Sequence, residues 1–572
     1  MLVQDWLLHG GRFMLALSLG FLFIAASVQA QKPAAADLIF VDGRVWTVDK
    51  AMPEAQALAV QNGRIMGIGS SAEIRTLAGP STRIIDLAGR MLMPGFIDNH
   101  VHFLNSGLQL LGIELRSAAS EEEFTRRIAE YAGKHPGRWI TGGDWDHESW
   151  PGAREPHRGL IDAVTPATPV FVNRLDGHMA LANSVALRLA GIDRNTPDPP
   201  GGEIVHDPAT GEPTGLLKDE AMNAVYAVIP ASSEAESLEG AAAAMDLARR
   251  CGVTSIQDVG SVEDLQTYQT LLERGELSVR VDCRIPLSQY KLFADAGIRA
   301  HFGGDMLRIG SLKAFADGSL GSTTALFFEP YEGSTSRGLP MDIVLDGRME
   351  QWALAADKAK LQLSVHAIGD SANSLMLDIF ERCVRENPAW DRRFRLEHAQ
   401  HIAAKDIPRF ARLGVIASAQ PFHAIDDGRW AHKRIGEKRC HEAYPFRSFL
   451  DQGVHLCFGT DWSVAPLNPL LGIYAAVTRR TLDGSHPDGW IPEQKISVAE
   501  AIACYTLNSA YASYDERSKG RLVKGYLADL VVLSGDLFAI PPERIREVQV
   551  DLTVLDGRVI FERAPGETIP SR

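Results

Sequence analysis

The sequence has no pair of cysteines at CxxC spacing, and its six cysteines (Cys251, Cys283, Cys383, Cys440, Cys457 and Cys504) are scattered. That spacing excludes a zinc ribbon or a dithiol redox motif and reveals no disulfide pairing. Cys283 and Cys457 lie inside apolar, strand-like runs and read as buried thiols. No run of Lys and Arg is dense enough to neutralise phosphates, and the net charge is −14, which argues against a nucleic-acid partner. The acidity reads as solubility. Beyond the first thirty residues no apolar run is long enough to span a bilayer. Internal repeats are absent. Gly201-Gly202 follows no strand and is no nucleotide loop.

The first thirty residues differ from the rest. Arg12 precedes the apolar run Phe13 to Ala26, which ends in Ser27-Val28-Gln29-Ala30. A short apolar run closed by small residues reads as a secretory signal peptide over residues 1–30, so the mature protein is expected to be periplasmic or secreted. The other reading is an uncleaved anchor or a buried helix.

At 572 residues the chain exceeds one ordinary core. Both ends read as short strands with Asp-Gly or Asn-Gly turns, at Asp42-Gly43, Asn62-Gly63 and Asp556-Gly557. The spacing predicts one small β-sandwich built from residues 37–92 and 519–565. Between them, residues 93–518 alternate apolar runs with helical segments, the pattern of parallel β/α units. Eight strands are expected to end near Asp98–His102, Gln257, Arg284, Lys313, His366, His398, Gln420 and Asp461, which predicts an α/β fold, a (β/α)8 barrel of the TIM type. The long stretch after the first strand, residues 105–240, is expected to be an insertion that covers the barrel mouth.

His100 and His102 alternate on the first strand, so both imidazoles face one side and form a ready nitrogen pair for zinc. Alone, such a pair is also met as two hydrogen-bonded residues. His366, His398 and Asp461 end other strands, and in this barrel the catalytic groups come from the C-terminal ends of several strands. Five ligand-type residues at one mouth point to a metal centre. Lys313 ends the fourth strand. A free ammonium beside two divalent ions is repelled, so Lys313 is either carbamylated, as an anionic bridge, or an ordinary lysine in a salt bridge. Asp370 and Glu397 adjoin ligand histidines and are candidate acceptors for their second ring nitrogens. His423 either contacts substrate or caps a loop. His401 leaves the strand phase. Asp144, Asp146, His147 and Trp150 either line a small-molecule pocket or pack the insertion.

The segments Pro94–His102, Arg174–His178, Lys313–Gly321, His366–Asp370, Arg395–Gln400 and Gly459–Val464 together resemble the amidohydrolase superfamily. Within it the likeness is to amidohydrolase family 3, which includes N-substituted formamide deformylases, over residues 37 to 562. The resemblance implies two metal ions, zinc by default. His100 and His102 would hold one, His366 and His398 the other, a carbamylated Lys313 would bridge them, and Asp461 would bind the first. Thr323 stands where the family has Arg, and Asn99 where it has Ser or Ala. The implied reaction is hydrolysis of a C–N bond, amide or formamide-like, in a small molecule. Asp461 would act as base and then acid, with His398 or His178 donating to the oxyanion; His178 reads equally as a structural residue of the insertion. The competing readings are a single-metal deaminase of the same superfamily and an exported binding protein without catalysis. Homo-oligomerisation stays open.

Overall fold

The computed structural model describes residues 35–568, so the expected leader, residues 1–30, lies outside the described residues. Eight parallel strands form the central sheet in the order in which they occur: β1 (Phe96–Val101), β2 (Val253–Val259), β3 (Arg280–Pro286), β4 (Leu307–Phe315), β5 (Leu363–Ala367), β6 (Arg395–His398), β7 (Ile416–Ala419) and β8 (Leu456–Phe458). Every residue of β5, β6, β7 and β8 is buried, as expected of parallel strands covered on both faces.

The seam between β8 and β1 closes through the chain just after β8. Thr460 donates to Asp98 from its amide (2.9 Å) and its hydroxyl (2.5 Å), and the Asp461 amide donates to the His100 carbonyl (2.7 Å). Gly459 permits this approach: a Cβ there would stand 2.5 Å from the His100 amide nitrogen.

Two further sheets lie beside the barrel, the first built from residues 36–86 alone and the second from both ends of the chain. One has four strands (Ala36–Val41, Ala57–Gln61, Arg64–Gly69, Ala78–Asp86), and the other has six, with Leu530–Leu533 pairing antiparallel to Met91–Pro94. Leu38, Phe40 and Leu58 of the first pack with Leu92, Leu530, Val532 and Val554 of the second in one apolar cluster.

After β1 the chain enters helix α1 (Phe103–Leu110), and before β2 it leaves helix α2 (Glu234–Arg250), which packs on α1. A capping box of Ser233 and Glu236 starts α2. The excursion therefore runs from 111 to 233, and the expected range 105–240 cut into both helices. The amphipathic crossover is divided, and the insert sits inside it. The insert carries its own five-stranded sheet, including Ile140–Trp145, Val170–Arg174 and Pro213–Asp219, around two apolar clusters. All six cysteines are buried and unpaired. Among the described residues no helix is long and apolar enough to cross a membrane.

Candidate metal centre and active site

The ends of β1, β4, β5 and β6 bring His100, His102, Lys313, His366 and His398 to one mouth, and Asp461 joins them from the turn three residues past β8. His398 (φ 69°) and Asp461 (φ 59°) both adopt the left-handed region, which turns their backbones out of the strand direction at the centre itself. Such conformations cost of order 1–3 kcal/mol each and persist where the surroundings hold them.

Three of the histidines have one ring nitrogen committed as a donor. His100 Nδ1 donates to Glu397, His366 Nε2 to the Gly318 carbonyl (3.0 Å), and His398 Nδ1 to Gln420 Oε1 (2.9 Å). Each keeps a lone pair on the other nitrogen, the form a metal requires. His102 Nε2 stands 3.3 Å and His100 Nε2 3.5 Å from Asp461 Oδ1, a buried oxygen with no hydrogen-bond partner. His100, His398 and Asp461 each offer a ligand atom within 4.8 Å of the others, and the rings of His366 and His398 lie 4.4 Å apart. Imidazole lone pairs converging on an orphaned carboxylate oxygen fit a divalent cation. Burial pushes His100 down to about 3 and holds His366 and His398 well below the ordinary imidazole value, so all three are neutral.

Lys313 is buried, with Nζ 3.3 Å from His100 Nε2. Burial first, and the positive charge of Arg284 and Arg395 next, outweigh Glu397 and Asp461 and bring it down to about 7. The shift favours the neutral, nucleophilic amine.

Glu397 adjoins His398 in sequence but serves His100. Successive strand residues point to opposite faces, and Glu397 turns into the barrel, where Ser364 (2.7 Å), Ser418 (2.5 Å) and Arg395 (2.9 Å) surround it. Burial alone would raise its pKa; Arg284, Arg395 and His100 hold it well below the ordinary value. Asp370 is not the acceptor for His366. It starts the helix after β5 and accepts from the Phe328 amide (2.8 Å). Asn99 also points into the barrel, accepting from Ser418 (3.1 Å).

A cavity of about 210 Å³ opens above the candidate metal ligands. The insert supplies one wall: Asp144 and Asp146 from the end of Ile140–Trp145, Arg174 at the end of Val170–Arg174, and Asp176 and His178 just beyond it. Arg174, fully buried, ties Asp176 (2.6 Å) to Asp146 (3.2 Å), and Ser319 Oγ donates to Asp176 (2.5 Å), locking the insert to the barrel. A Cβ on Gly321 would fall 2.3 Å from the Arg174 guanidinium, so glycine is needed there. His178 Nδ1 donates to Asp219 (2.6 Å), and its ring lies 4.9 Å from that of His366. Burial opposes its charge, but Asp219, Asp176 and Asp317 outweigh burial and raise its pKa.

Helix α3 (Pro421–Asp427) supplies the other wall. His423, in its first turn, stacks 6.3 Å from the His398 ring and lines the cavity. His401 is buried away from it, bonded to Gln400, and His147 and Trp150 pack within the insert. Sequence reasoning missed Asp219, Gln109, Asp426, Trp430 and the orienting role of Gln420. None of the first four belongs to a local pattern that signals a site.

Comparison with known proteins agrees with this geometry. The chain is 37% identical over 513 residues to Protein LONG AFTER FAR-RED 3 of Arabidopsis thaliana, covering 87% of each. It is 28% identical to N-substituted formamide deformylase of Arthrobacter pascens, covering 92% of this chain and 98% of the other. The crystal structure of an uncharacterized metal-dependent hydrolase from Pyrococcus horikoshii superposes with a TM-score of 0.72 at 27% identity, covering 88% of this chain and 99% of that one. The sequence model of the amidohydrolase family matches residues 83–561, and the chain belongs to that family.

Proposed function

We propose that the protein is a two-zinc hydrolase that cleaves the C–N bond of an amide or formamide-like small molecule. The observation that carries this reading is the convergence of the His100 and His102 Nε2 atoms on the buried Asp461 Oδ1. His100 and His102 would hold one ion, His366 and His398 the other, with Lys313 bridging as a carbamate and Asp461 completing the first site. The lowered pKa of Lys313 supports carbamylation, since only the free amine adds carbon dioxide. When bound, the metals supply Lewis acidity and an acidified water.

Asp461 takes the proton of the attacking water and returns it to the amine nitrogen as the C–N bond breaks. His178, held by Asp219, donates a hydrogen bond to the carbonyl oxygen as charge develops on it. His398 serves as a ligand. The name of the Arthrobacter relative supports a formamide-like substrate. The residue 1–30 pattern supports export.

The test is metal analysis of the purified protein joined to a screen of N-formyl, N-acyl and cyclic amides. Two zinc ions per chain and turnover of at least one compound are expected, with His100→Ala losing both metal and turnover. One zinc per chain with deamination would favour the deaminase. Turnover unchanged in His100→Ala would remove the assigned centre.

A further inference from the structure

The barrel mouth is divided in two. The cavity over the candidate metal ligands is floored by Lys313 and Phe315 of β4, His366 of β5 and His398 of β6, with His102 just past β1 and Asp461 just past β8, and no residue of β2 or β3 lines it. Above the ends of those two strands lies a second cavity of about 270 Å³, also bordered by Glu220 of the insert. Its apolar lining is Val259, Leu287, Phe315, Met341, Ile343 and Trp352. Lys313 and Phe315 line both spaces, so the wall of the second cavity is the flank of the metal centre. The Phe315 ring marks the border, 4.7 Å from Lys313 Nζ and 5.2 Å from the His366 ring.

The two spaces differ in chemistry. The first mixes carboxylates, histidines and Arg174 with apolar side chains such as Leu175, Leu320, Ile368 and Trp430. The second is apolar apart from Ser288, Lys313 at the border with the first, and two acids, Glu220 and Asp342, whose charges together disfavour an anionic occupant. An apolar cavity of about 150 Å³ is enough to take up benzene, and each buried methylene strengthens binding by about fourfold. We propose that the cavity over β2 and β3 is a substrate subsite that receives an uncharged alkyl or aryl group attached to the scissile amide. Phe315 is the specificity-determining side chain at its entrance. The inference rests on the amidohydrolase reading and adds the substrate class: a small amide with one apolar arm.

The test uses the metal-loaded protein and straight-chain acyl hydroxamates from two to eight carbons, with affinity measured by calorimetry. Affinity is expected to climb by about fourfold per methylene until the cavity fills. Ile343→Trp, and independently Val259→Phe, should flatten the climb, and the ratio of kcat/KM for octanoyl over acetyl amides should fall about tenfold or more. Unfolding midpoints of both variants report whether they fold; if neither does, the wild-type series decides. A flat wild-type series, or the same slope in a folded variant as in the wild type, overturns the subsite. If no amide is hydrolysed while the hydroxamate series still climbs, the failure belongs to the amidohydrolase reading and not to the subsite.

Discussion

The barrel side of the site and the insert side are built on different plans. On the barrel side, His100, Lys313, His366 and His398 stand on strands whose backbones are fixed by the central sheet, and three of their rings are pinned by a dedicated acceptor. On the insert side, Asp144, Asp146, Asp176 and His178 project from the ends of a separate small sheet. They are held by side-chain bonds, chiefly those of Arg174 and Ser319. The barrel therefore fixes the ligand-type side chains, and the insert closes one wall of the cavity above them. Function that depends on loops over a rigid scaffold can change without disturbing the chemistry below.

The contrast can be broken by exchanging readouts. His178→Ala should lower kcat by about 10²–10³-fold, the worth of one donor to a developing oxyanion, while metal content stays at the wild-type level. Steady-state kinetics with metal analysis checks both. Metal lost together with rate would make His178 part of the metal-holding side and erase the distinction. Asp219→Asn should share the direction of this effect in kcat through the freed imidazole.

Glu397→Gln probes the opposite side. Glu397 touches no cavity wall, yet it orients His100 and neutralises two buried guanidinium groups. Metal affinity should fall about 10–100-fold, the usual consequence of losing a partner to a ligand histidine. Stability should drop by about 3–5 kcal/mol, since Arg284 and Arg395 are left buried without a full counter-charge. Competitive chelator titration and urea unfolding give the two numbers. Unchanged metal affinity would show that the His100 ring is held by packing alone.

These two residues also mark how far the sequence could be read. The barrel and the convergence of its candidate ligands were legible because burial on both faces writes continuous apolar runs, and a ligand-type residue at a strand end stands out against them: His366 closes Leu363-Ser-Val, and His398 closes Arg395-Leu-Glu. The partner of each ligand was not legible. Glu397 next to His398 faces the opposite way and crosses the barrel to His100, while His366 finds a backbone carbonyl, which no residue type announces. The insert was legible as an interruption, but Asp219 reaches His178 across a strand pairing whose register no local spacing encodes. The limits of the insert were misjudged because α1 and α2 belong to the barrel's own crossover.

A smaller effect separates the two sides by pH. Asp427, at the end of α3, accepts from Tyr444 (2.5 Å) and Gln400 (2.8 Å) and lines the cavity. Burial pushes its pKa up to about 7, with Asp426 adding to the rise and Tyr444, Arg174 and Arg429 opposing it. The unfolded carboxyl titrates near the ordinary value of about 3.9. Between these values the folded protein keeps a proton that the unfolded chain has released, so stability falls as pH rises from about 4 to 7. Asn at this position does not titrate and still accepts both hydrogen bonds. Asp427→Asn should match the wild type near pH 4 and exceed it above pH 7; the displacement from about 3.9 to about 7 is worth about 4 kcal/mol, and solvent screening of this half-buried carboxyl brings the expected gap to on the order of 1 to 2 kcal/mol. Urea unfolding of both proteins at the two pH values measures the difference. A gap that does not widen with pH would mean that Asp427 is ionised in the folded state, and that the wall opposite the insert carries one more negative charge than its burial suggests.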